Sequence, residues 1–394
     1  MKRLLFLLGM CLTLSTSLMA QKAEDSHQKW YENIHIGGYL QVRYNKLYES
    51  NSDLNCEQCD EYWGAEGGGL SIRRMRFKIY GQISPRVFLY FQPDFSKSVG
   101  ENIHVARIKD AYMDIGLDPE NEYRLRIGQS KVPFGYENMQ SSSDRLPLDR
   151  NDALNSGVKD ERDLGIYFYW APKEIRQLMK ALKPYKHSGD FGVFALGIYN
   201  GQTANHPDEN NSFHVVSRFS YPIQLGSGQI IEPGIQAYSG KYVLPEVSDG
   251  VIAKTNHEYI DQRMGGSLVL YPRPLGIQAE YNLGRGPEYD RTTQSIKVKN
   301  LQGGYITASY FMAVGKQQFI PFVRVQHYDG GKKHELDGRS YVVTETEMGI
   351  EYHPFEHFEL VAVYTMADRQ YEDQELSHNH QVGNLIRIQA QVKF

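Results

Sequence analysis

The chain of 394 residues has little cysteine: only Cys11, Cys56 and Cys59. That excludes a disulfide-dense secreted scaffold. No second Cys-x-x-Cys and no nearby histidine pair completes a tetrahedral zinc set, so no metal site is expected. Cys56 and Cys59, in Cys-Glu-Gln-Cys, lie in a polar segment and read as a local disulfide in a surface loop. Basic charge is not in excess either, with 43 Lys and Arg against 47 Asp and Glu. Without a basic stripe, a nucleic-acid partner is not expected. A catalytic pattern is also missing. His104, His214, His257 and His357 fall near the ends of extended segments with no serine-containing nucleophile motif beside them, and they read as rim residues. Nothing in the composition calls for a cofactor.

Long apolar runs are scarce too. Lys2 and Arg3 precede an apolar run from Leu4, and Ser15, Thr16 and Ser17 lead to Ala20. This is the order of a secretory signal peptide over residues 1–20. The apolar run is shorter than the ~20 residues a helix needs to cross a bilayer. Beyond Ala20 no comparable stretch follows, so residues 21–394 contain no membrane-spanning helix. Without Lys2 and Arg3 the basic total falls to 41 against 47 acidic, a net charge of -6.

What the chain does have is 28 Tyr, 17 Phe and 36 Gly at a mean hydropathy of -0.52. A membrane β-barrel has this profile, because only alternate residues meet lipid. The alternation is visible at both ends. Ile34, Ile36, Gly38, Leu40, Val42 and Tyr44 share one face, opposite His35, Tyr39, Gln41, Arg43 and Asn45. Ile386, Ile388, Ala390, Val392 and Phe394 alternate with Arg387, Gln389, Gln391 and Lys393, and this strand runs to the chain end. Fourteen further segments between them bring the expected count to sixteen, an even number as single-chain bacterial barrels require.

The connections alternate in length. Residues 47–69, 132–162, 200–210, 242–256, 286–300, 329–339 and 369–382 read as long polar loops, with tight turns at 84–86, 118–121, 272–274, 314–316 and 354–356. Long outer loops alternating with short inner turns are the organisation of an antiparallel up-and-down barrel in the bacterial outer membrane. The expected domain is therefore one barrel over residues 21–394. One connection breaks the rhythm: 172–188 is long and lysine-rich where a short turn is due, and Lys173–Leu182 reads as a short helix.

Strand parity locates the lumen. Met75, Phe77 and Ile79 face lipid, which turns Arg74, Arg76 and Lys78 inward; Leu125 and Ile127 do the same for Arg124 and Arg126. Arg43 and Arg387 also point inward, on strands that meet at closure. Together these form an expected basic wall that would replace the hydration of a passing anion. Arg73 falls on the lipid parity and is expected to reach headgroups at the rim. Glu280, Glu345, Glu347 and Glu351, with Glu359, are expected on an opposite acidic wall. Inward Tyr39, Phe88, Tyr90 and Tyr112 keep a sugar-type channel open as an alternative.

The run Leu70-Ser-Ile-Arg-Arg-Met-Arg-Phe-Lys, the segment Lys109-Asp-Ala-Tyr112 and above all Arg126-Ile-Gly-Gln-Ser-Lys-Val-Pro-Phe-Gly135 resemble the phosphate-selective porin O and P family. The motifs lie between about residues 70 and 165, although the layout matches over most of the chain. The resemblance implies a homotrimeric sixteen-stranded channel in the outer-membrane lipid, passing small hydrophilic solutes and anions such as phosphate. It also implies a third loop, 132–162, folded into the pore. Matching residues are Arg74, Arg76, Arg126 and Lys131. Departures from the family are the absence of a dense arginine–lysine ladder and the acidic net charge. Two other classes compete: a surface adhesin acting through loops such as those of Cys56/Cys59 and His378/His380, and an outer-membrane enzyme.

Overall fold

Period-2 sequences bury one face of each strand and leave the other for lipid, so the chain folds as one closed antiparallel sheet. The computed structural model describes residues 29–49, 68–99, 102–187, 189–377 and 379–394. The segment 1–20, Cys56, Cys59 and His378 lie outside the described residues.

Sixteen strands form the wall. They are β1 (Ile34–Glu49), β2 (Gly68–Ser84), β3 (Val87–Val99), β4 (Asn102–Gly116), β5 (Tyr123–Lys131), β6 (Arg162–Trp170), β7 (Phe194–Tyr199) and β8 (His214–Ser220), followed by β9 (Ile230–Val243), β10 (Glu258–Leu270), β11 (Leu275–Asp290), β12 (Ser295–Tyr310), β13 (Gln317–Gly331), β14 (Ser340–Phe355), β15 (Phe358–Glu372) and β16 (Asn379–Lys393). Two short paired segments, Ile223–Gln224 and Met312–Val314, continue the ladder beyond β8 and β12. Each strand pairs antiparallel with its sequence neighbours, and β1 pairs with both β2 and β16.

The chain terminus completes the closure. Tyr39 opposes Lys393, and Gly38 and Phe394 exchange backbone hydrogen bonds of 2.9 and 3.1 Å. The Phe394 ring packs edge-on against Phe77 at 5.8 Å. Gly38 leaves the space that ring needs, because a Cβ there would fall 2.7 Å from Phe394 Cζ and 2.3 Å from the Arg76 carbonyl.

Residues 286–300, expected as a long loop, instead extend β11 and β12 into a hairpin that turns at 291–294. The polar tip had hidden the pairing, since strands that rise above the bilayer no longer need an apolar face. The helix expected at 173–182 is present as Lys173–Ala181, and Met179 and Leu182 are buried.

Parity holds around the wall except at two bulges, on β2 and β4. Val42, Tyr44, Phe77, Ile79, Leu275, Tyr281, Leu283, Ile388 and Val392 are exposed on the outside. Arg43, Arg74, Arg76, Arg124, Arg126, Glu280, Glu345, Glu347, Glu351, Glu359 and Arg387 are buried on the inside.

Candidate functional site

Inward-pointing charges sit in the lumen, and residues 132–161 run among them. This segment hydrogen-bonds to inward side chains on both sides of the barrel. Glu280 accepts from the Tyr136 and Glu137 N–H groups at 2.7 Å each, and Tyr305 donates to the same carboxylate at 2.7 Å. Arg263 donates to Ala153 O at 3.0 Å and to Ser156 Oγ at 2.7 Å. Across the lumen, Tyr39 Oη lies 2.7 Å from Ser142 Oγ, and Arg43 donates to Leu148 O at 3.2 Å. Val132, Phe134, Leu154 and Val158 pack against Tyr167, Tyr169, Tyr199, Tyr238 and Tyr305. Gly135 (φ 81°) starts the short turn of helix at Tyr136–Met139 in a backbone region that L side chains rarely adopt. These contacts fix the third loop inside the barrel.

The loop leaves a cavity of about 700 Å³ between itself and the β1–β4 and β13–β16 walls. Twelve Lys and Arg side chains line it against seven Asp and Glu, an excess of five positive charges in a chain whose total is negative. Its centre is Asp149, a loop carboxylate facing Arg387 at 2.6 Å, Arg43 at 3.1 Å, Arg73 at 3.3 Å and Arg74 at 3.8 Å. Burial alone would raise the Asp149 pKa, but the surrounding guanidiniums, Arg43 foremost, hold it well below the usual carboxylate range. Asp160 is similarly depressed: burial opposes ionisation, and Lys109 and Arg107, each at 2.8 Å, overcome it. Glu161 repeats the pattern, with burial outweighed by Lys131, Arg150, Arg162 and Arg145.

The expected basic residues divide into two groups. Arg74, Arg76 and Arg387 line the cavity. Arg43 lies behind them, fully buried between Gln389 and loop three. Arg126 is held by Asp114 at 2.7 Å and lies 3.9 Å over the Tyr112 ring, while Arg124 holds Asp190 at 2.8 Å. Lys78 lies 5.4 Å from the centre of the Tyr39 ring. Lys131 is committed to the loop, donating to the Asn138, Met139 and Gln140 carbonyls, so its ammonium protons face the backbone.

Three expectations need correcting. Glu345 and Glu347 do not belong to an opposite acidic wall. Glu347 accepts from Arg387 at 2.7 Å and pairs with Arg324, and Glu345 pairs with Arg369, so these acids interleave with the basic side chains of β13, β15 and β16. Inward parity was read correctly, but closure pairs β16 with β1 and so leaves β14 only three strands from β1, on the same side as the basic residues. Arg73 does not reach headgroups. Gln41 pairs with Arg74 and Val42 with Ile72, so Arg73 is the extra residue of a β-bulge and turns inward to Asp149. A second bulge does the same for Lys109, the extra residue between Ile108 and Asp110 opposite Pro93, which has no N–H to give the ladder.

His214 also departs from expectation. It is fully buried at the start of β8, with Nε2 3.7 Å from Asp261, rather than lying at the rim. Arg107, Arg324 and Arg369 line the cavity and were not anticipated, and Arg145, Arg150 and Arg162, expected only as charges of loop three, line it too. Parity marked Arg324 and Arg369 as inward, since Val323, Val325 and Met366 face out. Nothing local marked the loop arginines.

The periplasmic end is narrowed by the connection 171–193. Arg176 holds Asp190 at 2.6 Å, Leu182 packs with Tyr136, Ile230, Val269 and Tyr271, and Tyr185 meets Phe311 at 5.8 Å. Lys186 pairs with Glu351 on β14. The connection leaves β6 and reaches β14, so it crosses the periplasmic mouth.

A closed sixteen-stranded barrel with an inner loop and a charged cavity is the architecture of an outer-membrane diffusion channel. The family described as phosphate-selective porin O and P matches residues 51–394, and the chain belongs to that family. It is a porin of the bacterial outer membrane. Three solved structures share the fold at 92% coverage of this chain. The outer membrane channel DcaP of Acinetobacter baumannii matches at TM-score 0.58, 11% identity and 97% of its own chain. OmpT of Vibrio cholerae in its trimer form matches at TM-score 0.51, 12% identity and 99% of its own chain. An anion-selective porin from Comamonas acidovorans matches at TM-score 0.52, 8% identity and 99% of its own chain. No curated protein matches the chain.

Proposed function

We propose that this porin passes small hydrophilic solutes with a preference for anions, oxyanions such as phosphate among them. The observation that carries this is the excess of five positive charges lining the cavity beside loop three. An anion entering there exchanges water for guanidinium donors of Arg74, Arg76, Arg324, Arg369 and Arg387. Each of these also has a carboxylate partner within 4 Å. The site is therefore moderated, which favours passage over trapping. A sugar-type channel is less well supported. The Tyr39 hydroxyl is engaged by Ser142 and Arg76, and the Arg126 guanidinium covers the Tyr112 ring.

The same reading includes a homotrimer, as in the trimer form of OmpT, set in outer-membrane lipid through its exposed apolar belt. It also includes removal of residues 1–20 on export, a Cys56–Cys59 disulfide, transport without catalysis, and no nucleic-acid partner. The test is the zero-current potential of the purified protein in a planar bilayer under a KCl gradient, followed by phosphate. An anion-directed potential, block by phosphate, and a shift toward cations in Arg74→Ala and Arg387→Ala support the proposal. A cation-directed potential in the unaltered protein overturns it.

A further inference from the structure

At the periplasmic ends of β14 and β15, three potential ligands converge away from the arginine-lined cavity. His353 Nε2 lies 2.5 Å from Glu351 Oε1 and 3.8 Å from Glu359 Oε2, and one donor atom from each residue lies within 4.8 Å of the others. Adjacent strands hold the set. Glu351 and His353 are two residues apart on β14, and Tyr352 opposes Leu360, which puts Glu359 beside His353.

The second observation concerns satisfaction. Glu359 is 4% exposed, and its Oε2, the atom nearest His353, has no hydrogen-bond partner; Glu351 Oε2 has none either. The nearest cation to Glu359, Lys393 at 3.7 Å, is closer to Asp144 at 3.0 Å. Buried carboxylate oxygens without partners are costly. Of the two, Glu359 Oε2 lies 3.8 Å from the His353 Nε2 nitrogen, on which Glu351 Oε1 also converges, and that is a ligand arrangement. Lys186, from the connection across the periplasmic mouth, supplies the positive charge that Glu351 now sees.

We propose that Glu351, His353 and Glu359 form a site for a borderline divalent transition-metal ion, Zn²⁺ fitting best, which competes with the Lys186 ammonium for Glu351. One imidazole nitrogen with two carboxylate oxygens suits Zn²⁺ and disfavours the hard cations Mg²⁺ and Ca²⁺. Ligand atoms bound at ~2.0–2.2 Å around a tetrahedral ion lie about 3.4 Å apart, so the set closes by a small side-chain movement, with water in the fourth position. Binding uses the His353 tautomer protonated at Nδ1. Lys186 opposes it, because its ammonium occupies the Glu351 oxygen nearest His353 and repels a dication there. The ion therefore weakens one contact of the connection that crosses the mouth. This inference does not rest on the anion preference of the channel.

The experiment is calorimetric titration of ZnCl₂ into the untagged, refolded full barrel, with heat-modifiable gel migration confirming the fold of every variant. One equivalent is expected to bind. His353→Ala weakens it at least tenfold, Lys186→Met strengthens it about tenfold, and Mg²⁺ gives no signal. Absence of Zn²⁺ binding in both the unaltered protein and Lys186→Met overturns the proposal, leaving a rim ion-pair cluster only. So does Zn²⁺ affinity unchanged by His353→Ala.

Discussion

Removing the Asp149 charge should free loop three. Asp149 is where the loop faces four guanidiniums, and Asp149→Asn keeps the shape while taking away the one carboxylate they share. Breaking a buried pair by removing one partner costs about 3–5 kcal/mol. Asp149 keeps 20% of its side-chain exposure, and Arg387 retains Glu347, so about 2–3 kcal/mol is the better figure here. At 1.36 kcal/mol per factor of ten, that raises the open population of the loop roughly 30- to 160-fold. The barrel itself should persist, because its ladders do not pass through Asp149. Limited proteolysis at neutral pH reads the loop, and heat-modifiable migration reads the barrel. Faster cleavage between residues 132 and 161, an intact barrel and a more anion-directed zero-current potential are expected. Unchanged cleavage together with an unchanged potential would refute the view that Asp149 tethers the loop.

Other outcomes follow from the same contacts. Glu280→Ala leaves the Tyr136 and Glu137 N–H groups without their acceptor, and the loss of these charge-assisted bonds, about 1.5–3 kcal/mol each, should appear as noisier single-channel current. Gly38→Val drives a side chain into the Phe394 ring and the Arg76 carbonyl, so refolding yield on gels should fall sharply while Gly226→Val, in open space, leaves it unchanged. Asp149, Asp160 and Glu161 have depressed pKa values. Their stabilisation of loop docking is thus fully present above the unfolded values of about 4 and is lost as pH falls through the lower folded values. The contribution of these carboxylates, read for Asp149 as the difference in loop protection between the unaltered protein and Asp149→Asn, should stay constant from pH 7 to pH 5 and fall only in strongly acidic solution. A transition near pH 6 in that difference would refute the assignment to Asp149.

The strand pattern was legible because lipid and lumen impose opposite polarity on alternate residues. That local rule gave the strand count, the inward orientation of Arg43, Arg74, Arg76, Arg126 and Arg387, and the closing role of the terminal strand. It failed where pairing is set by the neighbouring strand. The bulges at Arg73 and Lys109 shift parity by one residue, and only the register of β1 against β2 and of β3 against β4 reveals them. It also failed for partners distant along the chain. Asp149 is 238 residues from Arg387, and Lys186 is 165 from Glu351. The sequence by itself determined the barrel and which side chains enter it, since a two-residue period is written in the chain. Only the tertiary structure decided which charges neutralise one another, where loop three lies, and where the excess of positive charge remains. Those outcomes depend on distances across a closed lumen, which have no counterpart along the chain.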